Sequence, residues 1–428
     1  MKLAFISDTH FGDGSGVLVD AVAGAFRRTK EYVKFLEAAG TNNDYLVLLG
    51  DILDFSIEEY ARVYHVAGAF FRFLKEDNIA RSIIYVPGNH DYAMWNTVEY
   101  QTRVIHPLRK GYPANHFRWS APGVIDDRRT AGNRRGFSLP GIIDRVVDPD
   151  EKPQESMFLN HLTINRDGSG DETRFYFAYP NLYITTDTES VLLTHGHYLE
   201  PFWTLTGEWA MKIAGKDLEI GPAFDLETLV ALNQPLCQLA CTGIGQAGPL
   251  TRLVRDMQQE IKSGQTFRVK NYINQLGDEI KQLLAYRFYD PRKWFFNIFT
   301  GIVKKRIFKA LDNYRATRYH EAFLLGKEVR RRFCDFYNTS LVELDRLRNN
   351  HNVDIPRPKK VIFGHTHCAV PWSSKNALSI PVSENETITL YNTGGWLRHR
   401  EKGQADMFAG AEVFTYETAK GFSSQKIT

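Results

Sequence analysis

The chain has few cysteines and almost no net charge, and both scarcities exclude classes of protein. Only four of its 428 residues are cysteine, and none of them forms a CxxC pair: Cys237, Cys241, Cys334 and Cys368. This spacing indicates a reducing compartment rather than a disulfide framework, and Cys237 and Cys241, which lie four positions apart, are interpreted as buried thiols rather than a zinc site. The 53 basic and 50 acidic residues give a net charge of +3. Such a balance does not predict a nucleic-acid partner, which requires a strong basic excess.

Long apolar runs are also missing. The N-terminus, MKLAFISDTHFG, has one short apolar stretch that leads into polar residues, so we expect no cleavable signal. The longest uncharged run, residues 228–251, contains polar residues, prolines and glycines and does not read as a transmembrane helix. With 43% hydrophobic residues the chain has enough apolar side chains for a large core. We therefore expect a cytoplasmic protein, with peripheral contact to a membrane face left open.

The first 90 residues alternate between strand and helix patterns. The segments KLAFIS, YLVLLGD and SIIYVPGNHD are apolar runs of strand length, and helical patterns lie at about 17–39 and 57–76. This alternation predicts βαβ units and a largely parallel sheet. Sites in such sheets form beyond the carboxyl ends of the strands. The polar clusters SDTH, GDILD and GNHD occupy those positions.

The pattern changes after residue 122. Residues 157–180 read as a hairpin around Asp167–Gly170, SVLLTHGH is another strand ending in histidines, and helical patterns dominate from about 206 to 350. Strand patterns return in KKVIFGHTH, TITLYNTGGW and AEVFTYET. We predict a catalytic domain of residues 1–205 and 355–428 with a loop or hairpin insertion at about 126–184. A helical cap insertion would span residues 206–354.

The strand ends together carry a set of metal-ligating residue types. The clustered polar residues are Asp8, His10, Asp51, Asp54, Asn89, His90, Asp91, His195, His197, His365 and His367. Carboxylates, imidazoles and an amide oxygen are suitable ligands for Mn, Fe or Zn. So many candidate ligands exceed what one ion takes and suit two ions that share a bridging carboxylate.

Five short motifs occur in a fixed order: DTH at 8, GDILD at 50, GNHD at 88, HGH at 195 and GHTH at 364. In this order they resemble the motifs of the calcineurin-like metallophosphoesterases. The resemblance implies an α/β fold, an αββα sandwich of two mixed sheets flanked by helices, with a large mainly helical insertion. It covers about residues 1–125, 190–200 and 358–417.

The resemblance also implies a dinuclear centre of two divalent metal ions, with Mn²⁺ the first choice and Fe or Zn the alternatives. One metal would take Asp8, His10, Asp51 and His367. The other would take Asp51, Asn89, His195 and His365. Asp51 would bridge the ions, and a metal-bridged hydroxide would attack phosphorus.

The remaining clustered residues receive other roles from the same resemblance. His90 would contact the phosphate or protonate the leaving group, and Asp91 would orient its imidazole. His197 and Asn89 would also contact the substrate. Asp54 would act structurally beside the ligands rather than as a ligand.

The motif details SDTHFG, GDILDF and GHTH are most similar to the UDP-2,3-diacylglucosamine pyrophosphatase branch. They imply cleavage of a phosphodiester or pyrophosphate bond in a lipid-linked or nucleotide substrate. A nuclease or a phosphomonoesterase of the same fold is an alternative. A catalytically silent binding scaffold is another, although the presence of every expected ligand favours an enzyme.

The predicted cap carries one notable cluster. In residues 290–310 the aromatic side chains Trp294, Phe295 and Phe299 precede a basic run that begins at Lys304. Aromatics with adjacent cations suit a surface that meets anionic lipid or an acyl-bearing substrate. Packing of the aromatics inside the inserted bundle, with a solvated basic face, explains the pattern equally well. The sequence carries no signal of oligomeric state.

Overall fold

A computed structural model describes residues 1–128 (except Ala23), 136–138, 173–213, 225–248, 326–351, 354–373, 377–399 and 407–428, with single positions between 159 and 305. The aromatic and basic cluster at 294–309 lies outside the described residues, apart from Gly301 and Lys305. Most of the predicted loop insertion, including residues 139–158, lies outside them as well.

The described strands and helices follow the chain in this order. The strands are β1 (Lys2–Ile6), β2 (Val19–Val22), β3 (Ala25–Arg28), β4 (Asn43–Leu48), β5 (Ala80–Tyr85), β6 (Gly123–Asp126), β7 (Gly136–Ser138), β8 (Arg174–Phe177), β9 (Asn181–Thr185), β10 (Ser190–Thr194), β11 (Lys360–Phe363), β12 (Leu378–Ser383), β13 (Glu386–Asn392), β14 (Arg398–His399), β15 (Met407–Phe408), β16 (Ala411–Glu417) and β17 (Gly421–Ile427). The α-helices are α1 (Lys30–Ala39), α2 (Tyr60–Glu76), α3 (Tyr92–Tyr100), α4 (His106–Arg109), α5 (Pro201–Ile213), α6 (Leu226–Gln238) and α7 (Lys327–His351). Shorter turns are a 3₁₀ turn at His197–Leu199 and π-helical turns at Gln101–Ile105 and Leu239–Ile244.

Two large sheets form the centre of the molecule. One has the order β17-β16-β1-β4-β5-β8, and the other has the order β12-β13-β11-β10-β9-β6-β7. In the first sheet β1, β4, β5 and β8 run parallel, while β16 and β17 add an antiparallel edge. The second sheet mixes both orientations, with β10 parallel to β11 and antiparallel to β9. These two mixed sheets with flanking helices confirm the predicted fold class.

Consecutive residues of the central strands are buried because both faces of the first sheet are covered. Leu3 and Phe5 of β1 pack in a cluster that also contains residues of the second sheet, such as Leu193 and Ile362. Ala4 and Ile6 belong to the other cluster, which includes the α1 and α2 side chains. A strand buried on both faces reads as a continuous apolar run. This explains why KLAFIS and YLVLLGD were recognisable as strands.

The predicted helix at 17–39 is wrong in its first half. Residues 19–28 form the β2–β3 hairpin, and Gly24 at its turn has a φ of +81°. The helix begins only at Lys30, because the Thr29 side chain caps it by accepting a hydrogen bond from Tyr32 N at 3.0 Å. Side-chain capping of a free backbone N–H defines a helix start more sharply than apolar periodicity does.

The described residues of the predicted hairpin at 157–180 do not form one, and its turn lies outside the described residues. Its second arm, β8, pairs in parallel with β5 as a strand of the first sheet. At the positions described in its first arm, Leu159 is helical, and Leu162 and Thr163 lie in a turn. A short apolar run shows that a strand forms but not which strand it pairs with, since pairing is a tertiary choice.

Helices dominate the described part of the predicted cap, and they pack against the second sheet. Phe336 of α7 stacks on Tyr198 with ring centroids 5.5 Å apart, and Tyr337 donates a hydrogen bond to Pro358 O at 2.7 Å. The exact domain boundaries stay a prediction. Within the described ranges, no helix has both the length and the apolar character needed to cross a membrane.

Candidate active site

The predicted ligands converge from both sheets on one place. Asp8 and His10 follow β1, Asp51 follows β4, and Asn89 follows β5 in the first sheet. His195 follows β10, and the pair His365 and His367 follows β11 in the second sheet. Two groups of these side chains have ligand atoms within 4.8 Å of one another: Asp8, His10 and His367, and Asp51, His195 and His365. The site therefore bridges the carboxyl ends of the two sheets.

The backbone at this site is strained. Asp8, His10, Asp51, His365 and His367 all have φ between +46° and +65°. They account for five of the seven non-glycine residues with positive φ in the described structure. A non-glycine residue in this region costs free energy and persists only when the surroundings impose it. Such strain concentrates at functional sites, and here it turns the side chains of each motif toward a common centre.

Neighbouring glycines permit the close approach of the strand ends. A Cβ atom on Gly364 would collide with the Asp8 carboxylate and with the Ser7 hydroxyl. A Cβ atom on Gly88 would collide with the Asp51 carboxylate. The glycines of GHTH and GNHD are therefore required by contact between segments that lie far apart in sequence.

The first group surrounds the Nε2 atoms of two histidines. His10 Nε2 lies 3.1 Å from His367 Nε2, and His367 Nε2 lies 3.2 Å from Asp8 Oδ1. The Asp8 carboxylate also accepts the backbone N–H of His365 at 2.9 Å. His10 and His367 outweigh the effect of burial and hold the pKa of Asp8 well below its usual range. A buried carboxylate that stays ionised between two imidazoles favours bound positive charge.

The second group surrounds His195 Nε2. This atom lies 3.1 Å from Asp51 Oδ2 and 3.1 Å from Asn89 Oδ1. Burial by itself lowers the pKa of His195, but the Asp51 carboxylate outweighs it and raises that pKa to about 9. The same histidine contributes to a pKa of Asp51 well below its ordinary value, against the effect of burial. The surroundings of His195 Nε2 therefore stabilise a cation, which can be either a proton or a metal ion.

Asp51 lies between the two groups. Its Oδ2 is 3.1 Å from His195 Nε2 and 3.8 Å from His10 Nε2, while its Oδ1 accepts the backbone N–H of His90 at 2.7 Å. A single carboxylate oxygen thus faces one histidine from each group.

The donor set fits metal ions because the second ring nitrogen of two histidines is already bonded. His195 Nδ1 lies 2.8 Å from the carbonyl oxygen of Leu49, which can only accept, so the proton is on Nδ1 and the lone pair is on Nε2. His10 Nδ1 lies 2.8 Å from the Asp54 carboxylate, which fixes the same tautomer. Metal-ligating histidines are typically oriented in this way by an outer carboxylate or carbonyl. The resulting lone pairs point toward carboxylate and amide oxygens, an arrangement that a divalent cation satisfies.

Asp54 also holds His90. Its Oδ1 lies 2.9 Å from His90 Nδ1, and Ser56 Oγ lies 2.7 Å from the same ring atom. Asp54, His10 and His90 also have ligand atoms close enough to hold an ion. Because Asp54 contacts the outer nitrogen of His10, we interpret it as an orienting group.

The predicted role of Asp91 is wrong. Its carboxylate accepts hydrogen bonds from Gly88 N at 2.6 Å, from Ile52 N at 2.8 Å and from the Tyr85 hydroxyl. Asp91 precedes the first residue of α3, so its side chain is directed back toward its own motif and the GDILD loop instead of the His90 ring. It ties two motifs together, and Asp54 takes the orienting position that sequence reasoning gave to Asp91.

His197 lies beside the second group and is completely buried. Its ring packs against that of Tyr198 with centroids 3.9 Å apart and a tilt of 37°, and neither ring nitrogen has a hydrogen-bond partner in the described structure. Burial and the neighbouring His195 lower its pKa well below the usual value, which keeps the ring neutral. Its contact with substrate stays a prediction, as does that of Asn89.

Sequence reasoning missed three residues at the site. Glu200 Oε2 lies 2.9 Å from His365 Nε2, Asn392 Nδ2 donates to Gly364 O at 2.6 Å, and the Cys241 thiol contacts the carbonyl oxygens of Asn89 and His90 at 3.2 Å. Asn392 belongs to the YNTGGW segment that was noted without a role. Glu200 and Cys241 carried no signal, because their partners are distant in sequence.

Three side chains of the site are partly exposed to solvent, whereas four others are buried. The side chains of Asp8, Asp51, His195 and His365 are at most 1% exposed. Those of His367, His90 and Glu200 are 8%, 13% and 17% exposed. A substrate phosphate would therefore approach past these three side chains.

A comparison with protein families agrees with this geometry. Residues 1–204, just under half of the chain, match the family model described as calcineurin-like phosphoesterase. No curated protein matches the chain. The matched range contains the first four motifs, and the fold brings the fifth motif, GHTH, to the same site. Residues 1–204 are thus similar to the calcineurin-like phosphoesterases, and the two mixed sheets and the clusters of metal-ligating residue types agree with that similarity.

Proposed function

We propose that the protein is a dinuclear metal-dependent phosphohydrolase that cleaves a phosphodiester or pyrophosphate bond. The observation that carries the proposal is the position of Asp51, whose Oδ2 faces His195 Nε2 at 3.1 Å and His10 Nε2 at 3.8 Å. One carboxylate oxygen shared by two histidine-containing groups is the arrangement that a two-metal centre requires.

Seven residues would hold the two ions. Asp8, His10, Asp51 and His367 would hold one, and Asp51, Asn89, His195 and His365 the other. Mixed oxygen and imidazole donors suit Mn²⁺, with Fe and Zn as alternatives. Two bound divalent cations would supply water activation at neutral pH and would offset the charge on the phosphoryl oxygens.

The remaining chemistry falls to the protein's own side chains. Asp54 and Ser56 hold the Nδ1 of His90, so Nε2 is the ring atom available to a phosphoryl oxygen or to the leaving oxygen. In this position His90 would bind the phosphate and deliver a proton to the leaving group. Burial of the surrounding ligands excludes bulk water and strengthens each of these interactions.

We extend the proposal to a lipid-linked or nucleotide substrate because the motif details are most similar to the UDP-2,3-diacylglucosamine pyrophosphatase branch. The helical insertion of this chain is larger than in that branch, so the selecting residues cannot be transferred. Peripheral contact with a membrane belongs to the same proposal and depends on the cluster at 294–309.

The test is a substrate panel with Mn²⁺ supplied, comparing monoesters, diesters, nucleotides, nucleic acids and lipid pyrophosphates. Turnover of diesters or pyrophosphates that is lost on chelation and restored by Mn²⁺ would support the proposal. Preference for monoesters or for nucleic acids would replace it with one of the two related activities. Full metal loading without turnover of any substrate would favour a catalytically silent scaffold.

A further inference from the structure

Glu200 occupies the junction between the metal site and the predicted cap. It follows the 3₁₀ turn that begins at His197, and α5 starts at the next residue. Its Oε2 lies 2.9 Å from His365 Nε2 and accepts a hydrogen bond from Trp203 Nε1 at 3.1 Å. A single carboxylate thus contacts a proposed metal ligand and the first turn of the inserted helices.

The contact with Glu200 determines the tautomer of His365. A carboxylate accepts hydrogen bonds, so the proton of the neutral imidazole lies on Nε2 and the lone pair on Nδ1. His10 and His195 have the opposite arrangement, because their Nδ1 atoms are bonded to Asp54 and to Leu49 O. All three histidines therefore have one nitrogen bonded to an acceptor, which leaves the other as the ligand atom.

The surroundings keep Glu200 in place. Trp203 is 5% exposed, and its ring lies 6.1 Å from the ring of His90. The His365 side chain is 1% exposed, whereas that of Glu200 is 17% exposed. The carboxylate thus closes the outer side of His365, with the indole of Trp203 limiting its rotation.

We propose that Glu200 is a positioning residue, which fixes the orientation and tautomer of His365 and so sets the affinity of one of the two metal positions. This inference rests on the proposed function, because it needs His365 to be a ligand. Glu200 would orient His365, which follows a strand of the second sheet, as Asp54 orients His10, which follows a strand of the first sheet. It also gives the predicted cap a direct connection to the metals, through Trp203 and α5.

The test measures binding of Mn²⁺ alone to the full chain after removal of metals, by calorimetry and by electron paramagnetic resonance. Loss of such an outer partner typically weakens metal affinity by about 10–100-fold. We expect Glu200→Ala to weaken one of two binding events by that factor. Glu200→Gln should stay within a few-fold of wild type, because its amide oxygen still accepts from His365. Where the alanine variant does not fold, Glu200→Asp, which is one methylene shorter, carries the same expectation of weaker binding.

Two controls separate positioning from general stability. Glu208 lies on α5, the helix that follows Glu200, and its carboxylate contacts Thr204 and Arg332. Glu208→Ala should leave both binding events unchanged. The melting temperature of the metal-free protein should also be the same for Glu200→Gln and wild type. If Glu200→Ala binds Mn²⁺ as tightly as wild type, the role of Glu200 is overturned but the proposed function is not. If Glu200→Gln and Glu200→Ala lose Mn²⁺ affinity equally, Glu200 is a direct metal ligand and not a positioning residue. If the wild-type protein does not bind Mn²⁺, the proposed function is wrong as well.

Discussion

The Nε2 atoms of His10 and His367 lie 3.1 Å apart, although 357 positions separate these residues in the chain. The Nδ1 atom of His10 is bonded to Asp54, so the Nε2 atom carries a lone pair. This lone pair, together with the buried Asp8 carboxylate 3.2 Å from His367 Nε2, would stabilise a cation bound between the two rings. The first prediction follows from this arrangement.

We expect protein purified without chelator to hold more than one equivalent of transition metal, and Asp51→Asn to hold at most one. The substitution removes the negative charge that faces both groups. Elemental analysis after exhaustive dialysis provides the measurement. Asp44→Asn, on β4 and partly exposed, is the matched control and should keep wild-type content. Two ions retained by the Asp51 variant, or a single ion in wild type under excess Mn²⁺, would contradict the dinuclear centre.

His90→Ala should keep the metals and lose most turnover. General acid catalysis contributes about 10²–10⁴-fold, and the loss should be larger for an alkoxide leaving group than for nitrophenolate, which barely needs a proton. Steady-state kinetics on paired diesters measures the difference. His65→Ala, an exposed histidine on α2, serves as control. Equal losses on both diesters would leave His90 with phosphate binding alone.

Substitution of Asp54 should affect turnover, whereas substitution of Asp91 should affect stability. Asp54→Asn should reduce turnover with little change in fold, because it weakens the hold on His10 and His90. Asp91→Ala should lower the free energy of unfolding by about 1–3 kcal/mol for each group that loses its acceptor. Urea denaturation in the presence of chelator measures this, and Asp44→Ala is its control. A stable Asp91→Ala with greatly reduced turnover would restore the orienting role for Asp91.

The stability of the protein should depend on Glu343 near neutral pH. Burial raises the pKa of Glu343 to about 7, from an ordinary value of 4.5, although hydrogen bonds from three side chains and the charge of Arg346 oppose this rise. The three donors are Ser120, Asn181 and Tyr183. Glu343 lines a cavity of about 220 Å³ together with the charged residues Arg118, Glu227 and Arg346.

The sign of this effect follows from the raised pKa. The folded state binds the Glu343 proton more tightly than the unfolded chain, so the stabilisation is complete below pH 4.5 and is lost as the pH rises through 7. The loss is about 3 kcal/mol in the free energy of unfolding. We expect Glu343→Gln to remove this slope, measured as the difference between variant and wild-type denaturation curves at pH 5, 6, 7 and 8. Parallel curves at all four pH values would contradict the prediction.

The cluster at 294–309 offers the last test. Changing Trp294, Phe295 and Phe299 to Ser should spare hydrolysis of a small artificial diester and should lower turnover of an acyl-bearing or membrane-presented substrate. Binding energy from the remote part of a substrate can act at the reacting centre, which is why only the larger substrate should respond. A folded variant that loses nothing on lipidic substrates would make the cluster ordinary surface. An unfolded variant would make the aromatics part of the core.

The sequence by itself determined the class of fold and the candidate ligands. Continuous apolar runs marked the central strands, because a strand buried on both faces needs apolar residues at every position. The polar motifs follow those strands directly, so the carboxyl ends of the strands could be identified before any pairing was known. Motif order then distinguished His195 and the GHTH pair from isolated histidines.

Only the tertiary structure decided how these residues divide their work. Asp54, not Asp91, holds His90, because the direction of a side chain depends on a loop conformation and on a helix start that local patterns do not specify. Strand β8 pairs with β5 in place of a hairpin neighbour for the same kind of reason. Glu200 became visible only when folding placed it 2.9 Å from His365, since a contact across 165 positions has no local signature.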